Sequence, residues 1–109
     1  MENLEQALSF AAYQGTLTKE RKLLTQRFQE DTAMAYNGGL FKITPEFIGG
    51  IRALRSEWLL DMNGNPVKVD DLDSFITDAQ IIYETALNKY GVEFNALRAK
   101  RNVKSLVNL

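Results

Sequence analysis

Two long stretches of helical periodicity, residues 3–36 and 71–101, constrain this chain more than any other feature of its sequence. Between them lies a short middle section rich in Gly, Pro and Asn. Apolar residues that recur every three or four positions give a helix one face to bury. The sequence therefore predicts a mainly α fold with minor β content, in which the two long helices pack as an antiparallel hairpin.

Each long stretch carries its large apolar residues on one helical face. In the first stretch these are Leu4, Ala7, Phe10, Tyr13, Leu17, Leu24, Phe28 and Ala35. In the last they are Leu72, Ile76, Ala79, Tyr83, Ala86, Tyr90, Phe94 and Leu97, with Phe75, Ile82 and Leu87 beside them. Gly15 and Gly91 are the weak points, because Gly costs a helix roughly 1 kcal/mol relative to Ala. We expect the first stretch to be one helix, and a break at either glycine stays open.

The middle section begins where the first long helix is predicted to end. Asn37-Gly38-Gly39 is assigned as the stop, because Asn and Gly accept the left-handed backbone that closes a helix. Residues 40–43 then form a short extended segment. Thr44 as a capping residue and Pro45 at the first helical position predict a short helix that runs to about Glu57.

A small β-hairpin is predicted after this helix. Residues 59–62 and 66–69 form its strands, and Asn63-Gly64-Asn65 supplies a turn that tolerates positive φ values. Within the short helix, Gly49 and Gly50 favour close packing against a neighbouring helix over a hinge or ligand-approach role. The short helix and the hairpin are expected to pack at one end of the long helices.

Cys and His are both absent from the 109 residues. Without Cys there is no disulfide and no thiolate nucleophile or metal ligand, which suits a reducing cytoplasm. Without His, only carboxylates, Lys and Tyr remain for acid–base chemistry. We therefore predict a protein that is not an enzyme and holds no metal or cofactor. The competing hypothesis is an enzyme whose carboxylates Asp61, Asp70 and Asp73 converge in a pocket.

Charge and hydropathy limit the partners that the chain can have. With 13 basic and 14 acidic side chains the net charge is −1, so there is no long-range attraction to nucleic acid or anionic lipid. No run of 18 apolar residues is present, and the first 15 residues are acidic and amphipathic, unlike a secretory signal. We expect a cytoplasmic protein with a protein partner, no membrane partner and no evident small-molecule substrate.

The C-terminus gives the best functional clue, since four bases follow Glu93 and no acid does. Solvated bases that favour the end of a helix are the simplest explanation. However, Val103, Leu106 and Val107 have the spacing of a helical docking face on a predicted tail, residues 102–109, beyond a single helical-hairpin domain of residues 1–101. The predicted partner-binding residues are Arg98, Lys100, Arg101, Lys104, Leu106 and Val107.

These patterns predict a non-enzymatic interaction or assembly protein. Its long helices would make coiled-coil-like contacts in a homodimer, and the basic, amphipathic tail would bind a larger partner. The alternative is a nucleic-acid-associated regulator that meets phosphates with the same C-terminal bases, helped by Arg21, Lys22 and Arg27. In its general cast the chain also resembles small proteins of tailed phages, which implies an accessory role.

Overall fold

The computed structural model describes the backbone of residues 2–107 and the side chains of residues 14–100. Within that range the chain forms three helices and two antiparallel β-hairpins, which confirms the mainly α class with minor β content. The elements are α1 (Glu2–Asp31), β1 (Ala33–Tyr36), β2 (Gly39–Lys42), α2 (Pro45–Leu54), β3 (Trp58–Leu60), β4 (Pro66–Lys68) and α3 (Leu72–Val107). None of the described helices combines the length and apolarity that crossing a bilayer requires.

The chain divides into two compact units, to which both long helices contribute. Unit 1 consists of residues 1–27 and 89–109, and unit 2 of residues 28–88. Helix α1 continues through Gly15 and α3 through Gly91, so neither glycine breaks its helix. Helix α3 also extends past the predicted end at residue 101 to Val107.

The core of unit 2 is built around the ring of Phe75 in α3. Its centroid lies 5.1 Å from that of Tyr36 and 5.3 Å from that of Phe41, both in edge-to-face geometry. The ring of Phe47 in α2 lies 6.3 Å away. Such aromatic pairs contribute about 0.5–1.5 kcal/mol beyond their burial. The same core contains Met34, Ile43, Ile48, Ile51, Val67, Val69, Ile76 and Ala79.

The first β-hairpin corrects the prediction for the end of α1. The helix predicted over residues 3–36 ends at Asp31, and Ala33–Tyr36 is a strand that pairs with β2. The register places Tyr36 opposite Gly39, so that Asn37 and Gly38 form a two-residue turn. Their φ values of 44° and 80° are those of the primed turn that suits the twist of a hairpin. The Asn-Gly pair therefore closes a hairpin, and its assignment as a helix stop is wrong.

Thr32 connects the end of α1 to this hairpin. Its buried hydroxyl donates to the carbonyl of Gln29 at 3.1 Å and accepts from Nζ of Lys42 at 2.7 Å. The same ammonium donates to the Gln29 carbonyl at 2.6 Å. The N–H of Ile43 donates to the Thr32 carbonyl at 2.8 Å. A cation at the C-terminus of a helix is electrostatically favourable, so Lys42 satisfies the helix end and fixes β2 beside it.

Helix α2 begins as predicted and ends earlier than predicted. The Thr44 hydroxyl accepts from the N–H of Phe47 at 3.0 Å, and Pro45 is the first helical residue. The helix ends at Leu54 and not near Glu57, because Arg55 has a left-handed backbone with φ 50°. The N–H of Arg55 donates to a carbonyl in the last turn of the helix, which closes it.

The backbone approaches another element closely at Gly39, and not at Gly49 or Gly50. A Cβ built at Gly49 or Gly50 would meet no atom of the described residues within 4 Å, so the predicted close packing there is wrong. A Cβ at Gly39 would lie 2.6 Å from Cγ2 of Val67 in β4. Because Cβ atoms do not tolerate that distance, any larger residue at position 39 would force β2 and Val67 of β4 apart.

We predict opposite effects for alanine at two of these glycines. Gly39→Ala should lower the free energy of unfolding by about 1–3 kcal/mol, since it overpacks the contact with Val67. Gly49→Ala should raise it by up to about 1 kcal/mol, since alanine is the better helix former and has room. Urea unfolding followed by circular dichroism measures both. A Gly39→Ala protein as stable as the Gly49→Ala protein would contradict the packing described.

The predicted second hairpin is confirmed, with Leu59 opposite Val67. The loop after β3 is organised by the carboxylate of Asp61. Its Oδ1 accepts from the N–H groups of Asn63 and Asn65, both at 2.9 Å, and its Oδ2 accepts from the N–H of Leu40 in β2 at 3.2 Å. The hydrogen bond from Asn65 is the main reason that the pKa of Asp61 lies below its usual 3.8. One carboxylate therefore joins the two hairpins.

We predict that Asp61→Ala destabilises the protein in a pH-dependent way. The pKa of Asp61 is lower in the folded than in the unfolded chain, so its carboxylate stabilises the fold above the unfolded pKa of about 3.9. This contribution is lost as the pH falls through the folded pKa. The difference in unfolding free energy between wild type and Asp61→Ala should therefore be constant near neutral pH and shrink as the pH falls below the unfolded pKa. A difference that does not depend on pH, or an equal pH-dependent loss in the control Asp70→Ala, would contradict this role.

Candidate functional site

In unit 1, the apolar residues of α1 and α3 lie between two flanks of polar side chains. Leu17 and Leu24 of α1 are buried, and Tyr90, Phe94 and Leu97 of α3 are partly buried. All five belong to the predicted apolar stripes. Their burial fixes which residues of the two helices face outward beside them.

Side-chain pairs join the two helices among the described residues of unit 1. They are Thr25 with Tyr90, whose hydroxyl oxygens are 3.2 Å apart, Arg27 with Glu93 at 3.7 Å, and Glu20 with Lys100 at 3.5 Å. Along α1, Glu20 precedes Thr25 and Arg27, whereas along α3 its partner Lys100 follows Tyr90 and Glu93, as expected for antiparallel segments. An antiparallel hairpin over the whole of residues 3–36 and 71–101 is a wider claim, and it stays a prediction.

One flank of the apolar contact holds a cavity of about 330 Å³, which we call the neutral cavity. Its charged side chains form two opposite-charge pairs, Arg27 with Glu93 and Glu20 with Lys100. Leu23, Leu24, Ala96 and Leu97 complete its wall. Because each base has an acid beside it, this flank has no net charge to offer to a ligand.

A second cavity of about 310 Å³ lies on the other side of Leu97, and we call it the cationic cavity. Its lining is Gln14, Leu17, Thr18, Arg21, Phe94, Leu97 and Arg98. The guanidinium carbon of Arg21 lies 5.7 Å from the centroid of the Phe94 ring, and that of Arg98 lies 5.2 Å from it. Both distances fall within the range of cation–π attraction. Two positively charged side chains therefore contact the same aromatic ring.

Among the side chains of residues 14–100, no ion pair joins Arg21 or Arg98 to a carboxylate, whereas Arg27, Arg55 and Lys100 each have one. The positions three and four residues away from Arg21 and Arg98 along their helices contain no Asp or Glu. Since a guanidinium presents five N–H donors in a planar fork, this cavity has the groups needed to bind an oxyanion.

The structure separates the predicted partner-binding residues into two environments. Lys100 lines the neutral cavity and pairs with Glu20, whereas Arg98 lines the cationic cavity. The remaining predicted positions lie in α3, and their side chains fall outside the described residues: Arg101, Lys104, Leu106 and Val107. The predicted tail is thus helical up to Val107.

The contact of Arg98 with Phe94 is not among the sequence-based predictions. The spacing of four residues on one helix is the available signal, since such neighbours lie on the same face. Arg21 enters those predictions only as a helper of the C-terminal bases in the nucleic-acid alternative. The contact of Arg21 with Phe94 depends on the register between α1 and α3, which the sequence does not specify.

Two of the three carboxylates of the enzyme alternative, Asp61 and Asp73, have local partners. Asp61 accepts backbone N–H groups, and Asp73 pairs with Arg55 at 3.0 Å. Neither cavity of unit 1 contains Asp61, Asp70 or Asp73. Across the part of the chain that the structure describes, no three acidic side chains are grouped so that they could hold a metal ion.

Comparisons with protein-family models, with curated proteins and with solved structures found no match to this chain. The cationic cavity is therefore interpreted from its own residues and distances.

We predict that the pairing of Glu20 with Lys100 can be detected by cross-linking. The chain has no Cys, so Glu20→Cys with Lys100→Cys introduces the only two thiols. A short bismaleimide should join them within one molecule at low protein concentration. Glu20→Cys with Lys89→Cys is the control, because Lys89 lies about 16 Å from Lys100 along the helix. Mass spectrometry of the monomer measures the cross-linked fraction of each variant. Equal cross-linking of both variants would contradict the register.

Proposed function

We propose that this chain is a non-enzymatic interaction protein that self-associates through the outer face of the β3–β4 hairpin. The observation that carries the proposal is the exposure of Trp58 and Leu60, at 57% and 67%. Side chains alternate along a strand, so these two point away from Leu59, which packs against the core. Their partners across the hairpin are Lys68 and Pro66, and both are exposed.

Energetics support a protein partner for this face. Burying apolar surface contributes about 25 cal/mol per Å², and tryptophan is among the residue types that dominate binding energy at interfaces. A second copy is the partner that we infer, because an apolar patch can bury itself against its own counterpart across a twofold axis. A net charge of −1 gives two copies almost no mutual repulsion.

The predicted helix-on-helix contact between copies is the rival route to the same assembly. Within unit 1 it would use exposed apolar residues of the two helices, such as Leu23 and Val92. Val92 is 71% exposed, so it matches Trp58 in exposure while it lies on α3. A substitution at Val92 is thus both a control for the hairpin face and a test of the helix route.

We predict that Trp58→Ser shifts the protein toward the monomer. Light scattering coupled to size exclusion, over a range of protein concentrations, should give a mass above that of one 12.4 kDa chain for the wild type. It should give a lower mass at the same concentration for Trp58→Ser, because the central apolar anchor is removed. Val92→Ser should behave like the wild type. A wild type that is monomeric at every concentration, or dissociation by Val92→Ser alone, would overturn the proposal.

The C-terminal segment is proposed as the contact with a larger protein partner, in the cytoplasm. What supports this is that α3 continues to Val107, so that Val103, Leu106 and Val107 have the spacing of one helical face. The same light-scattering experiment separates this role from self-association. Leu106→Ser with Val107→Ser should leave the mass unchanged if this segment serves a different partner.

A further inference from the structure

We propose that the cationic cavity of unit 1 binds an organic phosphate monoester through Arg21 and Arg98. This inference is independent of self-association by the β3–β4 hairpin, because it concerns other residues and another class of ligand. It starts from a difference between the two flanks of one helix pair. In the neutral cavity each base pairs with an acid, whereas in the cationic cavity neither arginine pairs with an acid of the described side chains.

The two arginines lie in positions where their positive charges repel each other, and a bound anion would remove this repulsion. Two like charges that share the ring of Phe94 repel each other, and the ring offsets part of that repulsion. A doubly charged oxyanion that contacts both guanidiniums would turn this repulsion into attraction. Each guanidinium can donate two parallel N–H groups to such an anion. The contact with the ring restricts both side chains before binding, which lowers the entropy lost on binding.

The charge and the walls of the cavity identify the class of ligand. A phosphate monoester carries about −1.5 to −2 charges near pH 7, which matches two guanidiniums, whereas a carboxylate carries one. The cavity volume of about 310 Å³ is roughly ten times the ~30 Å³ share of one water molecule, so it has room for more than a phosphate group. The side chains of Leu17, Phe94 and Leu97 form apolar walls for the organic part.

A small ester fits these observations better than a nucleic acid does. Affinity for a phosphate backbone grows with the number of phosphates neutralised, and this cavity offers two cations. The whole chain has a net charge of −1, so it would not attract a polyanion from a distance. An oligonucleotide is therefore the competing ligand in the test.

Isothermal titration calorimetry of the full chain at low salt tests the proposal with phenyl phosphate, inorganic phosphate and a short oligonucleotide. Phenyl phosphate should bind at one site and more tightly than inorganic phosphate, because its ring adds contact with the apolar walls. Arg21→Gln and Arg98→Gln should each weaken phenyl phosphate by about tenfold or more, since each removes charge-assisted hydrogen bonds. Arg98→Lys, which keeps the charge and loses the planar fork, should weaken it less than Arg98→Gln.

Arg27→Gln is the matched control. It changes the net charge by the same amount as Arg21→Gln, and it lies in the neutral cavity. It should leave the affinity for phenyl phosphate within about twofold, well short of the tenfold loss expected for a removed contact. The proposal is overturned if phenyl phosphate does not bind, or if Arg27→Gln weakens binding as much as Arg21→Gln does. Tighter binding of the oligonucleotide, lost in the same arginine variants, would replace the ester with a nucleic acid.

Discussion

The packing of aromatic rings on Phe75 is the interaction on which unit 2 depends. Phe75 lies in α3, and the rings around it come from β1, β2 and α2, so one side chain brings together segments that are far apart in sequence. Two of the contacts are edge-to-face, a geometry that fixes orientation as well as distance. The β-hairpins are short, and hairpins of three or four residues per strand are marginal alone. They are ordered because this core holds their inner faces.

That dependence explains which parts of unit 2 the sequence could predict. The capping pattern at Thr44 and Pro45 and the Asn63-Gly64 turn are local signals, and both gave the right element. The prediction for Ala33–Tyr36 was wrong because these residues also fit a helical stripe. The strand is stabilised by Met34 and Tyr36, which pack into the shared core. Asn37-Gly38 indicates a hairpin turn as clearly as Asn63-Gly64 does. The helical periodicity of the residues before it led instead to the prediction of a helix stop.

The candidate site was predictable only in part, for a similar reason. A basic C-terminal cluster is visible in the sequence, and Arg98 and Lys100 belong to it. Their different environments come from the register of α3 against α1, which decides that Lys100 meets Glu20 and that Arg98 shares a ring with Arg21. Register between two long helices is set by many weak contacts, and no short motif records it.

The net charge of −1 therefore describes this molecule poorly as a binding partner. Charges that sit in opposite pairs, as in the neutral cavity, contribute nothing to recognition at a distance and little to stability, since they are partly exposed. A ligand meets only the local charge that no opposite charge neutralises. At Arg21 and Arg98 this local charge consists of two cations beside a partly apolar wall. A chain can thus be almost neutral as a whole and still place two cations in one cavity, because neutrality is a sum over surfaces that a small ligand never touches together.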